Sequence, residues 1–152
     1  MRSFQSRGRC ELVLAAMVSA LLAGAVVSPR PAAADGALAI AKPPDVVKQG
    51  FAYAYATDEA DVNHAEAEAL AKCRETTIAG VRPLCTVIRD FKNQCVAVAM
   101  DPAAGTPGVG WGVADDLRSA EAQALSGCED TAGPGRRAAC VVDHSSCDGS
   151  GK

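Results

Sequence analysis

The two histidines are the first candidates for chemistry, because imidazole titrates near neutrality and is the commonest metal-ligating side chain. His64 lies in "ADVNHAEAEA" beside Asp61, Asn63 and Glu66. An imidazole among oxygen donors is a set that a divalent cation can use. The same residues also suit the first turn of a helix, where acidic and capping groups gather near free backbone N–H groups. That second reading is preferred, since Ser119 stands in place of His64 when the second half of the chain is laid over the first. His144 lies in "VVDHSSCD", with Asp143 and Ser145 adjacent, the residue types of an acid–base–nucleophile triad. Neighbours on a regular strand point to opposite faces, so these three are not expected to converge.

Other motifs are weaker. Asp58, Asp61, Asn63 and Glu66 carry calcium-type oxygens but lack the D-x-[DN]-x-[DN]-G order of a calcium loop. "GVGWG" (108–112) lacks the Lys-Ser/Thr of a phosphate-binding loop and reads as the start of a strand. Phe51, Tyr53 and Tyr55 recur at period two, which puts all three rings on one strand face. In a chain this poor in large side chains, that face belongs to the core before it belongs to a ligand. No catalytic, cofactor-binding or metal-binding residue is assigned from the sequence.

The first thirty-four residues are set aside as a leader. Arg2, Arg7 and Arg9 precede an apolar run from Leu12 to Val27, and Pro31-Ala32-Ala33-Ala34 supplies the small residues of a signal-peptidase site. That run is shorter than the roughly 20 residues a membrane-spanning helix needs. Removal of residues 1–34 takes Arg2, Arg7, Arg9, Arg30 and Glu11 from a chain of 15 basic and 18 acidic residues, leaving a net charge of about −6. An acidic surface excludes a basic nucleic-acid stripe and adhesion to an anionic membrane. The remaining chain is expected to be one domain over 35–149 with a short tail at 150–152, exported and free of any membrane span.

Cys10 leaves with the leader, and Cys73, Cys85, Cys95, Cys128, Cys140 and Cys147 remain. Alanine dominates the apolar residues and buries little surface, so covalent bracing has a clear role. No C-x-x-C motif is present, which disfavours zinc and a redox pair. Six cysteines admit fifteen pairings. The equal Cys73–Cys85 and Cys128–Cys140 intervals make the symmetric solution the simplest one, leaving Cys95 for Cys147. Loop-closure entropy assigns about 3 kcal/mol to each short bridge and about 4 to the long one.

A repeat organises these elements. "AEAEALAKC" (65–73) returns as "AEAQALSGC" (120–128), and the following cysteines correspond as well. The match extends to two units, about 36–91 and 94–147. Upstream, Leu38-Ala39-Ile40-Ala41 is matched to Val96-Ala97-Val98-Ala99, and Phe51 to Trp111. Each unit reads as strand, strand, helix, strand. Val62, Ala65, Ala69, Leu70 and Cys73 share one helix face, and Asn63 with Glu66 competes with Asp61 as the cap. The expected fold is α+β: a mixed sheet with two helices packed on it, stapled by disulfides. Within that sheet, 85–91 and 93–100 are expected as adjacent strands about a tight turn at Lys92-Asn93.

The phrases "GALAIA", "GFAYAYA", "AEAEALAKC", "NQCVAVAMD", "GVGWGVA", "AEAQALSGC" and "CVVDHSSCD", in this order, resemble the bacterial domain-of-unknown-function family numbered 4189. The resemblance implies a small secreted or periplasmic protein and brings no established activity. The functional expectation is an exported binding or interaction module directed at a protein or envelope component. A small hydrolase with a site assembled from distant residues, and a structural envelope protein, are the alternatives.

Overall fold

The computed structural model describes residues 35–149 and 151; the leader expected at 1–34 and most of the short tail lie outside them. Strand β1 (Asp35–Ala41) is followed by a one-turn helix α1 (Val46–Gln49), strand β2 (Ala52–Glu59), helix α2 (Val62–Arg74) and strand β3 (Thr86–Lys92). The second half repeats this with β4 (Cys95–Met100), β5 (Val109–Ala114), α3 (Leu117–Ala132) and β6 (Val141–Cys147). Short 3₁₀ turns at Ala79–Leu84 and Arg137–Ala139 lead into β3 and β6.

The α+β class and the repeated strand–strand–helix–strand unit are present, but the strands do not form one mixed sheet. They form two antiparallel three-stranded sheets, ordered β2-β1-β3 and β5-β4-β6. The reason lies in the central strands. Ala37, Ala39 and Ala41 of β1 pack with Ala65, Ala69 and Cys73 of α2, while Leu38 and Ile40 turn the other way. In β4, Ala97 and Ala99 meet α3, and Val96 and Val98 join Leu38 and Ile40. Small side chains thus face the helices and large ones face the opposite sheet, giving the layer order helix, sheet, sheet, helix. A single sheet would leave one set of large residues without a partner. For the same reason β3 and β4 follow each other in the chain without pairing; the link crosses from one sheet to the other.

The helices are capped alike. Asp61 accepts from the His64 N–H at 3.0 Å and Asp116 from the Ser119 N–H at 2.9 Å, so Asp61 caps α2 instead of an Asn63–Glu66 box. The cysteines are joined as Cys73–Cys85, Cys128–Cys140 and Cys95–Cys147. The two short bridges tie each helix to the strand after it, and the long one joins residues already paired across β4 and β6.

Strand register also fixes which residues correspond. Leu38 lies opposite Tyr55 and, beside a bulge, opposite Arg89; Val98 lies opposite Trp111 and, beside its bulge, opposite His144. Leu38 therefore answers to Val98, not Val96, and Trp111 answers to Tyr55, not Phe51. Alternating X-Ala strands look the same when slid by two residues, so the phrases alone misplace the match. In this register Ala54 corresponds to Gly110.

That exchange matters for packing. A Cβ at Gly110 would lie 2.2 Å from the carbonyl oxygen of Ala124 and from the backbone nitrogen of Cys128. Backbone of α3 cannot yield as a flexible side chain can. Gly110→Ala is expected to destabilise the protein by about 3 kcal/mol, whereas Ala54→Gly in the other half loses only about 1 kcal/mol. Urea unfolding of the two variants measures the asymmetry; equal effects would mean that both helices sit at the same distance from their sheets.

Candidate functional site

The bulges build the first cluster. Between Val98 and Ala99 the β4–β6 ladder skips Asp143, so this residue is extra in its strand. The bulge breaks strict alternation and turns Asp143 and His144 toward the same group, the phenol of Tyr53 on β2. Tyr53 donates its hydroxyl proton to Asp143 Oδ2. His144 Nδ1 lies 2.6 Å from the same hydroxyl and 3.2 Å from Asp143 Oδ2. The hydroxyl has one proton to give, so with Asp143 as its acceptor it accepts from His144 Nδ1–H. Among the described residues Nε2 then has no hydrogen-bond partner, in a ring whose side chain is 64% exposed.

Burial, followed by the Asp143 carboxylate, pushes the Tyr53 phenol well above its ordinary range. Tyr53 is thus held as a protonated donor and does not act as a base near neutrality. Ser145, the third residue of the triad reading, donates to Glu121 Oε1 of α3 at 2.8 Å and belongs to another network. The strand rule failed for Asp143 and His144 and held for Ser145. No residue type marks the bulge in the sequence; it shows in the register, where seven residues of β6 run against six of β4.

His64 is placed elsewhere. Its Nδ1 lies 2.8 Å from Asp61 Oδ2, just as Ser119 Oγ donates to Asp116 Oδ2 at 2.7 Å. Both side chains reinforce the cap beneath them, and the hydrogen bonds that His64 and Ser119 donate hold both aspartates below the usual carboxylate range. Asp58, from the calcium reading, accepts the Gly149 N–H at 2.9 Å instead of joining Asp61, Asn63 and Glu66. Among the described residues no group of three or more His, Cys, Asp or Glu is placed to hold a metal ion.

The second feature is a cleft of about 230 Å³ between the loops 42–51 and 101–108. Its lining includes Val46, Val47, Phe51, Met100, Pro102 and Thr106. One wall is fixed by Asp101, whose carboxylate receives Nε and Nη2 of Arg136 and the Ala103 N–H. The guanidinium contact holds the Asp101 carboxyl down at about 2. Thr106 Oγ1 donates to Ala103 O at 2.8 Å and tightens the same loop. Phe51 connects this cleft to the first cluster: its ring lies 6.0 Å from that of Tyr53, which lies 6.1 Å from the imidazole of His144. A row of rings therefore runs from the cleft along the β2–β6 flank, partly buried against both sheets.

The family model described as a domain of unknown function, DUF4189, matches residues 36–147. The chain belongs to this family. The match runs from β1 to the last residue of β6, so the DUF4189 region takes in all three disulfides, the Tyr53–Asp143–His144 cluster and both loops. Neither the curated proteins nor the solved structures contain a match.

Two titrations check this geometry. A phenol harder to ionise in the folded chain than in the unfolded one adds stability that is full below its ordinary pKa of 10.0 and is lost as pH rises above it. One of the two tyrosines should therefore resist alkaline ionisation until unfolding, and Asp143→Asn should lower the pH at which it ionises, read by ultraviolet difference absorbance. Asp101 has the opposite sign: its contribution is complete above 3.8 and disappears as pH falls toward about 2. The stability gap between wild type and Asp101→Asn should narrow across that window in denaturant titrations; a constant gap would show that the Arg136 pair does not depress Asp101.

Proposed function

We propose that this chain is an exported, disulfide-braced binding module that engages a protein or envelope component at the cleft between the loops 42–51 and 101–108. One observation carries the reading. The repeat accounts for the strands, helices and short bridges, and the corresponding β1–β2 and β4–β5 connections, the first with the one-turn helix α1 and the second without one, converge on one cleft of mixed polarity. Val47 at its rim is 47% exposed and Phe51 lines it, giving apolar area beside the polar Thr106 and the backbone of the 101–108 loop. A loop held by a buried carboxylate and its guanidinium partner offers that surface with little ordering left to do on binding.

Export is supported by the leader-like sequence and by three disulfides, which persist in oxidising compartments. No helix among the described residues is long and apolar enough to cross a membrane. The arrangement around His144 lends less to a hydrolase, because Tyr53 is held protonated and Ser145 is engaged by Glu121.

The test places a photo-crosslinking residue at Val47 in the full chain in its own cells, with exposed Val141 on β6 as the control position. The expected result is one saturable adduct from Val47, absent from Val141 and competed by unlabelled protein, on molecules whose N-terminus is Asp35. Equal labelling from both positions, or a cytoplasmic chain with reduced thiols, would overturn the proposal.

A further inference from the structure

The two flanks of the sandwich are built from corresponding residues with different chemistry. On the β2–β6 flank the bulge residue is Asp143 and its neighbour is His144; on the β3–β5 flank they are Ile88 and Arg89. Tyr55 on the first flank corresponds to Trp111 on the second. The first flank is satisfied from within, since the chain supplies a carboxylate, Asp143, to the groups around it. On the second flank an aliphatic side chain occupies that place, and Arg89 has no ion pair or side-chain hydrogen bond among the described residues. Arg89 borders a hollow of about 290 Å³ whose other lining side chains are Ile88, Trp111, Val113 and Gln123. Lys42 Nζ stands 5.6 Å from the centre of the indole, in a neighbouring depression that Trp111 shares, and holds the ring by a cation–π contact.

These groups have complementary demands. A guanidinium fork matches the two oxygens of a carboxylate, and a glutamine amide can donate a further hydrogen bond. An indole flanked by aliphatic groups favours a flat apolar body. In a chain that is acidic as a whole, Arg89 brings positive charge to the border of an aromatic-walled hollow. We infer that the Trp111–Arg89 hollow binds an organic carboxylate on a flat apolar body, of about the size of two fused rings. Arg89 and Gln123 take the carboxylate, and Trp111 with Ile88 and Val113 takes the rings. This site lies apart from the loop cleft, so its failure leaves that reading standing and the reverse is also true.

Trp111 is the single tryptophan of the chain, so its indole N–H gives one assignable signal in nitrogen–proton correlation spectra. Titration of the full mature chain with naphthoate should shift that signal saturably, together with the Gln123 side-chain amide. Naphthamide, of the same shape without the charge, should not saturate the shift. Arg89→Gln should weaken naphthoate binding by about tenfold or more, while Arg89→Lys, a point charge without the fork, should fall between. Arg89 is exposed, so both variants should retain the wild-type dispersion of signals that certifies folding. No saturable shift with naphthoate, an equal response to naphthamide, or undiminished binding by a folded Arg89→Gln protein would each overturn the inference.

Discussion

The fold depends on two central strands that are buried on both faces. β1 and β4 have alanines or a cysteine against a helix and branched aliphatic residues against each other. This division of sizes sets the spacing of all layers. Small side chains let the helix axes come close to the sheets, where a shared disulfide can hold them, and large side chains fill the space between the sheets. Neither half has enough large apolar surface to stand alone. Among the described residues, the face formed by Leu38, Ile40 and Phe91 packs with Val96, Val98, Val113 and the rings that border them. The duplication is therefore energetic as well as geometric: each unit is the lid of the other.

On that frame, chemistry appears where the strands depart from regularity. The corresponding bulges in β3 and β6 rotate paired side chains toward the opposite sheet, and the two halves have filled those positions differently. One flank holds a hydrogen-bonded cluster in which a protonated phenol, a carboxylate and the Nδ1 of an imidazole meet. The other presents an arginine beside a tryptophan. A bulge is a compact device for such divergence, because it adds one residue to a ladder without altering the helix or the bridge behind it.

Much of the fold could be read in advance from particular residues. The doubled helix phrase located α2 and α3, and the equal cysteine intervals pointed to the short bridges. The alternation in 36–41 and 95–100 placed the strands, but it suggests a half-buried pattern, whereas alanine and leucine there are both fully buried on opposite sides. From that came the single sheet in place of two. The cluster at Tyr53 was hidden for a different reason: Asp143 and His144 are adjacent in sequence, and only a bulge, which has no residue signature here, lets them act on one target. The cleft between the loops could not be foreseen at all, since it depends on how one sheet lies over the other.

Asp148 gives the architecture a direction in time. Its fully buried carboxylate accepts the N–H of Asp58 at 2.7 Å and that of Asn93 at 2.9 Å. These are the two non-glycine residues held at positive φ among the described residues, one at the bulge of β2 and the other in the link between the sheets. Both conformations are disfavoured without such support. A chain made from its N-terminus can close Cys73–Cys85 early, but the last bend of β2 and the crossing between the halves wait for a residue that is made only after β6. A chain truncated before Asp148 leaves two backbone kinks, one in the first unit and one in the link, without the carboxylate that orders them.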